Sequence, residues 1–337
     1  MTLPPTAADE ALRHADEVSA APEAVKIHGR SPMQIAFERL RHDWVAVISS
    51  VIVLFFIVIA LFAPLIANAF GVEEGIVENP SDVLELDTGY GLEGPPNHGF
   101  TWDHPLGVAP STGKDNLAEW LFGARTSLEV AFVSAIGATS LGIVFGLLAG
   151  FSRGWLDRII SFFLDLFLSF PFILGALSLA PILINRFGSD AAKLDQAQFY
   201  SLILILVFFS WMYLARLIRG EVLSLREREF IQAARVIGVP TRRILFKELL
   251  PNMIAPIVVS FSLGLPAFVA AEAGLAFLGI GLTERPSWGQ TILDAIPHFE
   301  VYPLFLWAPV IGIMVLVVAL NLLGDSLRDA FDPKTRR

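Results

Sequence analysis

Long apolar runs separated by polar stretches dominate the chain. Val45–Ala67, Val130–Ser152 and Val301–Gly324 carry no charge, and Phe199–Ala215 is shorter but equally clean. Ile159–Asn185 contains a single charge, Asp165, and Ile254–Leu282 only Glu272. A helix rises about 1.5 Å per residue and needs roughly 20 apolar residues to cross about 30 Å of hydrocarbon. The six runs therefore predict six membrane-spanning helices. None of them alternates apolar and polar positions over a useful length, which argues against a β-barrel. Backbone groups in lipid must pair internally, and helices are the remaining solution. The expected fold class is all-α integral membrane.

Composition agrees with the pattern. The 337 residues are 54% hydrophobic and 17% charged, with mean hydropathy +0.62, where soluble domains carry about 25% charge. A formal net charge of −9 argues against a polyanionic partner such as nucleic acid. With no cysteine there is no disulfide framework, thiol chemistry or cysteine zinc site. Six scattered histidines suggest no metal cluster, so no metal site is expected. Lys and Arg then orient the spans. With the N-terminus cytoplasmic, 19 of 24 basic residues lie inside, and only Lys114, Arg125, Arg186, Lys193 and Arg285 lie outside. Both termini are expected in the cytoplasm.

The segments between runs are less uniform. Residues 1–30 are rich in Ala, Pro and Glu without apolar periodicity, and are expected to be a disordered cytoplasmic tail. Ser31-Pro32-Met33-Gln34 has the form of a helix start with a capping box. Met33, Phe37, Leu40 and Trp44 then share one face, which predicts an interfacial helix over 31–44. Ala67-Asn68-Ala69 resembles a cleavage site, but the apolar run and the segment before it are too long for a signal peptide. The external loop, 68–125, carries ten acidic residues from Glu73 to Glu119. It fits either a solvated surface or a docking face for an external partner.

The cytoplasmic loop over 216–252 is the most informative stretch. Phe230, Ala233, Ala234 and Ile237 recur at the spacing of one apolar helical stripe. Gly238 follows where a left-handed helix-ending glycine would sit, and Pro240 suits the start of a second helix running to Pro251. The spacing predicts two short helices joined by a sharp elbow. A DNA-binding helix-turn-helix has a similar outline, but both ends of this unit are tied within a few residues to membrane spans.

Here the residues resemble a known family. Gln232-Ala233-Ala234-(x3)-Gly238-(x12)-Pro251 is similar to the EAA loop of permease subunits in ABC importers. Trp211-Met212-Tyr213-Leu214-Ala215-Arg216, Ala271-Glu272-Ala273-Gly274-Leu275 with Phe277-Leu278-Gly279, Ser287-Trp288-Gly289-Gln290, and Asn321-Leu322-Leu323-Gly324-Asp325 resemble the C-type permease of dipeptide/oligopeptide/nickel importers. Gln232 departs from the loop's usual Glu, and Glu248 from an aliphatic position. The external Leu106–Asp115 stretch has Val-Ala for Thr-Asp, Lys114 for Arg, and one extra residue.

The resemblance implies a type I importer permease with its membrane domain over 45–324 and a cytoplasmic tail over 325–337. It implies a second, B-type permease subunit, two ATP-binding subunits and an external substrate-binding protein as partners. ATP and Mg would be held by the ATP-binding subunits. This chain has no GxxxxGK[ST] phosphate loop, so it is expected to carry no catalytic residue and no cofactor. Phe230, Gln232, Ala233, Ala234, Ile237 and Gly238 would couple to an ATP-binding subunit. Peptides are the implied cargo, with nickel complexes and oligosaccharides as alternatives.

Three further features lie inside the spans. Glu272 is a candidate intramembrane polar site, with a hydrogen bond inside the bundle expected to satisfy it. Asp165, ahead of a kink expected at Phe170-Pro171, either pairs with a neighbouring helix or faces the pathway. Gly142, Gly146 and Gly150 form a small-residue stripe expected to pack on a neighbouring helix. A secondary transporter would ordinarily show internal repeats and mid-membrane polar groups, which are scarce here.

Overall fold

The computed structural model describes residues 32–75, 101–110, 112–152, 154–185 and 191–332. Among them the structure is helical, with one isolated antiparallel bridge between Val108 and Asp115. The expected tail at 1–30, the Ser31 cap and most of the acidic loop lie outside the described residues. The helices are α1 (Pro32–His42), α2 (Trp44–Phe70), α3 (Asn116–Phe151), α4 (Trp155–Leu168), α5 (Phe172–Asn185), α6 (Ala191–Leu225) and α7 (Glu229–Val236). Then α8 (Thr241–Arg243) runs through a π-helical turn (Ile244–Leu249) into α9 (Leu250–Asn252). The chain finishes with α10 (Ile254–Phe277), α11 (Trp288–Ala295) and α12 (Pro303–Phe331).

Five helices, α2, α3, α6, α10 and α12, are each long and apolar enough to cross a membrane. The third apolar run is instead a pair, α4 and α5, bent by 93° at Ser169-Phe170-Pro171. Pro171 offers no N–H to the ladder and restricts the residue before it. The expected kink is thus a full break.

The packing of α3 on α6 decides whether this pair crosses. A Cβ added at Gly142 would come 2.9 Å from Leu214, at Gly146 2.6 Å from Ile218, and at Gly150 2.6 Å from Val222. Each glycine meets a residue 72 positions further on, so α3 and α6 run parallel along their shared face. Two parallel spans require the chain to return across the membrane between them. The bent pair is that return, and the structure has six crossings. The glycine stripe packs within the chain, letting two backbones approach as small residues do in membranes.

The ends of the molecule agree with this count. Arg39 of α1 donates to the Ala330 and Asp332 carbonyls at 3.1 and 3.2 Å, and Ser326 Oγ donates to Asp43 Oδ2 at 2.8 Å. Both ends of the described chain therefore meet on one side. Ala36 of α1 is buried, while Met33, Phe37 and Trp44 are exposed.

Helix ends differ from the apolar runs in a systematic way. Asp115 caps α3, its Oδ1 accepting from Leu117 and Ala118 N–H at 2.8 and 3.0 Å. Residues 116–125 are thus helix, not external loop. Residues 216–225 continue α6 rather than opening the cytoplasmic loop, and 325–331 continue α12 rather than forming a tail. Hydropathy measures the thickness of hydrocarbon, whereas a helix continues until a cap stops it.

Tryptophan closes the core at the outer end. Trp288 is fully buried, packs edge-on against Phe56 at 5.7 Å and tilts against Trp120 at 5.8 Å. Its indole N–H donates to the Trp120 carbonyl at 2.9 Å, and the Trp120 indole donates to Ala308 O at 3.1 Å. The Ser287-Trp288-Gly289-Gln290 motif now reads physically. Ser287 Oγ caps α11 by accepting from Gln290 N–H, Trp288 fills the core, and Gly289 lets α11 touch the backbone of α10 at Ala273. Beside it, Arg285 pairs with Asp195, and Gln198 Oε1 accepts from Thr283 N–H and Oγ at 3.1 Å. Hydrogen bonding to Asp195 holds the Arg285 guanidinium above its usual range, so it stays charged.

Candidate functional site

The cytoplasmic elbow begins where α6 ends. Arg226 donates to Gly150 O at 3.1 Å, fastening the turn to the last turn of α3, where a cation suits the negative end of the helix dipole. Arg228 then precedes α7, eight residues long. Arg235 lies over the Phe151 ring at 4.7 Å, a cation–π contact that clamps α7 to the same place.

Gly238 ends the helix with φ +77°. Its N–H bonds Arg235 O at 3.0 Å, and Val239 N–H bonds Ala234 O at 2.9 Å. These two bonds are the Schellman pattern, which satisfies helix-end carbonyls and needs a left-handed residue. No atom lies within 4 Å of a Cβ placed at Gly238, so glycine is required there by backbone conformation alone.

The apolar stripe divides differently from the spacing-based expectation. Ala234 is buried with Ile231, Ile244, Leu249 and Met253, against Leu147 of α3 and Ile218 and Val222 of α6. Phe230 and Ala233 face outward, joined by Val236 and Ile237, which are 87% and 79% exposed. Ala234 therefore belongs to the inner contact, where it meets Val239 across the cap. Val236, which the stripe omitted, belongs to the exposed face. Phe246, in the π-helical turn, is also exposed. Gln232 Nε2 donates to Glu227 O at 3.2 Å, a bond that an ionised glutamate at this position could not make.

The remaining candidates lie elsewhere. Asp165 pairs with Arg216 across α4 and α6, with both side chains more than half exposed. Glu272 is fully buried in α10, within the bundle as expected of an intramembrane carboxyl. The Ser127 and Ser287 hydroxyls face it without closing a bond of standard geometry. The elbow, Asp165 and Glu272 are three separate places. Among the described residues, no group of three acidic or histidine side chains is arranged to hold a metal. The elbow leaves Phe230, Val236 and Ile237 exposed while Ile231 and Ala234 are buried against the spans.

Comparison with known proteins follows the same lines. A family model described as "binding-protein-dependent transport system inner membrane component" matches residues 142–337, and an "N-terminal TM domain of oligopeptide transport permease C" matches 31–81. The chain is 35% identical over 307 residues to a dipeptide transport system permease protein of Alkalihalophilus pseudofirmus, covering 91% of each. It is 31% identical over 323 residues to an oligopeptide transport system permease protein of Haemophilus influenzae, covering 95% of this chain and 94% of that one. It is also 34% identical over 308 residues to a glutathione transport system permease protein of Pectobacterium atrosepticum, covering 91% and 93%. Among solved structures it is similar to the inward-facing MetNI methionine ABC transporter, at 22% identity and TM-score 0.49, over 64% of this chain and 96% of that one.

Proposed function

This chain belongs to the family of binding-protein-dependent transport system inner membrane components, and on that premise we propose that it is the C-type permease subunit of an ATP-driven importer of di- and oligopeptides. It encloses half of a translocation pathway with a second permease subunit. Two ATP-binding subunits sit below it, and a binding protein delivers cargo outside. ATP hydrolysis belongs to those partners.

The observation that carries this reading is the elbow. Large apolar side chains exposed together outside the membrane mark an interaction surface, and α7 with its C-cap exposes Phe230, Val236 and Ile237. The elbow is also mechanically fixed. Ile231 and Ala234 pack against the α3–α6 pair, whose backbones are in glycine contact. A push on α7 therefore moves two spans together. Asp165 serves to hold α4 on α6 through Arg216, and Glu272 lies in the seam where α10 meets Ser127 and Ser287.

The test is uptake by the reconstituted complex, with its partner subunits and binding protein, of labelled dipeptides, oligopeptides, glutathione and nickel complexes. ATP-dependent accumulation of peptides above the other cargoes supports the reading. Accumulation of nickel complexes or glutathione instead would overturn the substrate, and uptake independent of ATP would overturn the mechanism.

A further inference from the structure

A groove of about 760 Å³ opens between α3, α6 and α10. Its wall carries the hydroxyls of Thr139, Ser210, Tyr213 and Ser260, and Arg328, near the cytoplasmic end of α12, lines it together with Leu217 and Pro256. Elsewhere in the spans, Ser49 and Ser178 turn their hydroxyls onto their own helices, at 2.6 Å to Val45 O and 2.8 Å to Leu174 O, while the Ser134 hydroxyl is sealed in the core without a partner. The four groove hydroxyls make no hydrogen bond among the described residues, and Tyr213 is 73% exposed. Lipid cannot satisfy such groups, and because they line an open groove rather than the sealed core, water or a solute can reach them there. Arg328 makes no ion pair among the described residues, and no Asp, Glu or His lines the groove.

We infer that this groove is the wall touched by the transported solute, and that Arg328 receives a carboxylate of that solute at the inner mouth. The inference rests on the proposed transport function and narrows its substrate class. Neutral hydroxyls offer donors and acceptors without holding either end of a zwitterion. A guanidinium matches a carboxylate fork. A wall without acidic or imidazole groups offers a passing metal cation no ligand.

The chain's natural lack of cysteine makes the test direct. Thr139→Cys and Ser260→Cys are placed singly in the assembled complex in inverted membrane vesicles, with Val51→Cys and Val318→Cys as controls on exposed apolar faces. A membrane-impermeant charged thiosulfonate should modify the groove positions and not the controls, and the adducts should block ATP-driven release of peptide loaded, with its binding protein, into the vesicle lumen. In a second arm, Arg328→Gln should slow uptake of a peptide acid about tenfold relative to wild type. Its C-terminal amide should be unaffected, and Arg328→Lys should restore most of the rate. Equal reactivity of groove and control positions would overturn the wall. Equal slowing of acid and amide would overturn the role of Arg328. A wild-type complex that carries no peptide would sink the transport reading, while the labelling would still decide the wall.

Discussion

The two ends of this molecule are finished differently. At the outer end Trp288 is completely buried, both indole N–H groups of the Trp120–Trp288 pair are bonded to carbonyls, and Gly289 and Gly312 admit their neighbours at contact distance. At the cytoplasmic end Val236 and Ile237 stand almost wholly in the open, on a helix whose other face is locked to the spans. At the outer end the large side chains are buried by the chain itself. At the inner end they are left uncovered, and the proposed docking of an ATP-binding subunit would cover them.

Trp288→Ala should break the finished end most severely. Removing a buried aromatic costs about 3–5 kcal/mol, and here it also leaves the Trp120 carbonyl without its donor. A large fall in the thermal midpoint of the purified permease, with little intact protein recovered, is the expected result. A midpoint unchanged from wild type would show that this cluster is not the outer core.

Gly146→Leu strikes between the two ends. Its side chain would meet Ile218 Cβ and the Ala215 carbonyl, both under 3 Å from the first carbon alone. Overpacking of this kind costs about 1–3 kcal/mol or more, so thermal stability should fall and α3 should part from α6. Gly220→Leu is the comparison, since nothing lies within 4 Å of a Cβ there. It should leave stability near wild type.

Gly238→Val should cost less, about 1–2 kcal/mol, because only the left-handed backbone is strained. It should nonetheless misplace the elbow. The permease should still be made and inserted, while ATP turnover in the assembled complex no longer tracks uptake. Coupled turnover and uptake at wild-type rates would show that the turn at Gly238 is not needed for transmission.

How much of this was legible in the sequence follows from the physics of each feature. Six crossings were readable because hydrocarbon thickness demands apolar length, and the Gly238 turn because left-handed backbone selects glycine. Helix ends were not, since Asp115 caps α3 well outside the apolar run. The facing of Ala234 was also hidden. Phe230, Ile231, Ala233, Ala234, Val236 and Ile237 make α7 apolar on two sides, and periodicity alone cannot say which side meets the chain's own spans. The Ser127 and Ser287 hydroxyls that face Glu272, and the helices that meet around the groove, are distant in sequence, and no local pattern announces them.

The smallest effect on the fold should come from Val236→Asp and Ile237→Asp, since exposed substitutions usually stay within about 0.5 kcal/mol. Their effect on coupling is the most direct test of the elbow's role. Each variant would be expressed with its partners, and co-purification of the ATP-binding subunits, ATP turnover and uptake measured on the same preparation. We predict a permease of unchanged thermal stability from which the ATP-binding subunits dissociate, or on which they hydrolyse ATP without uptake. Full co-purification with normally coupled transport in both variants would contradict the account.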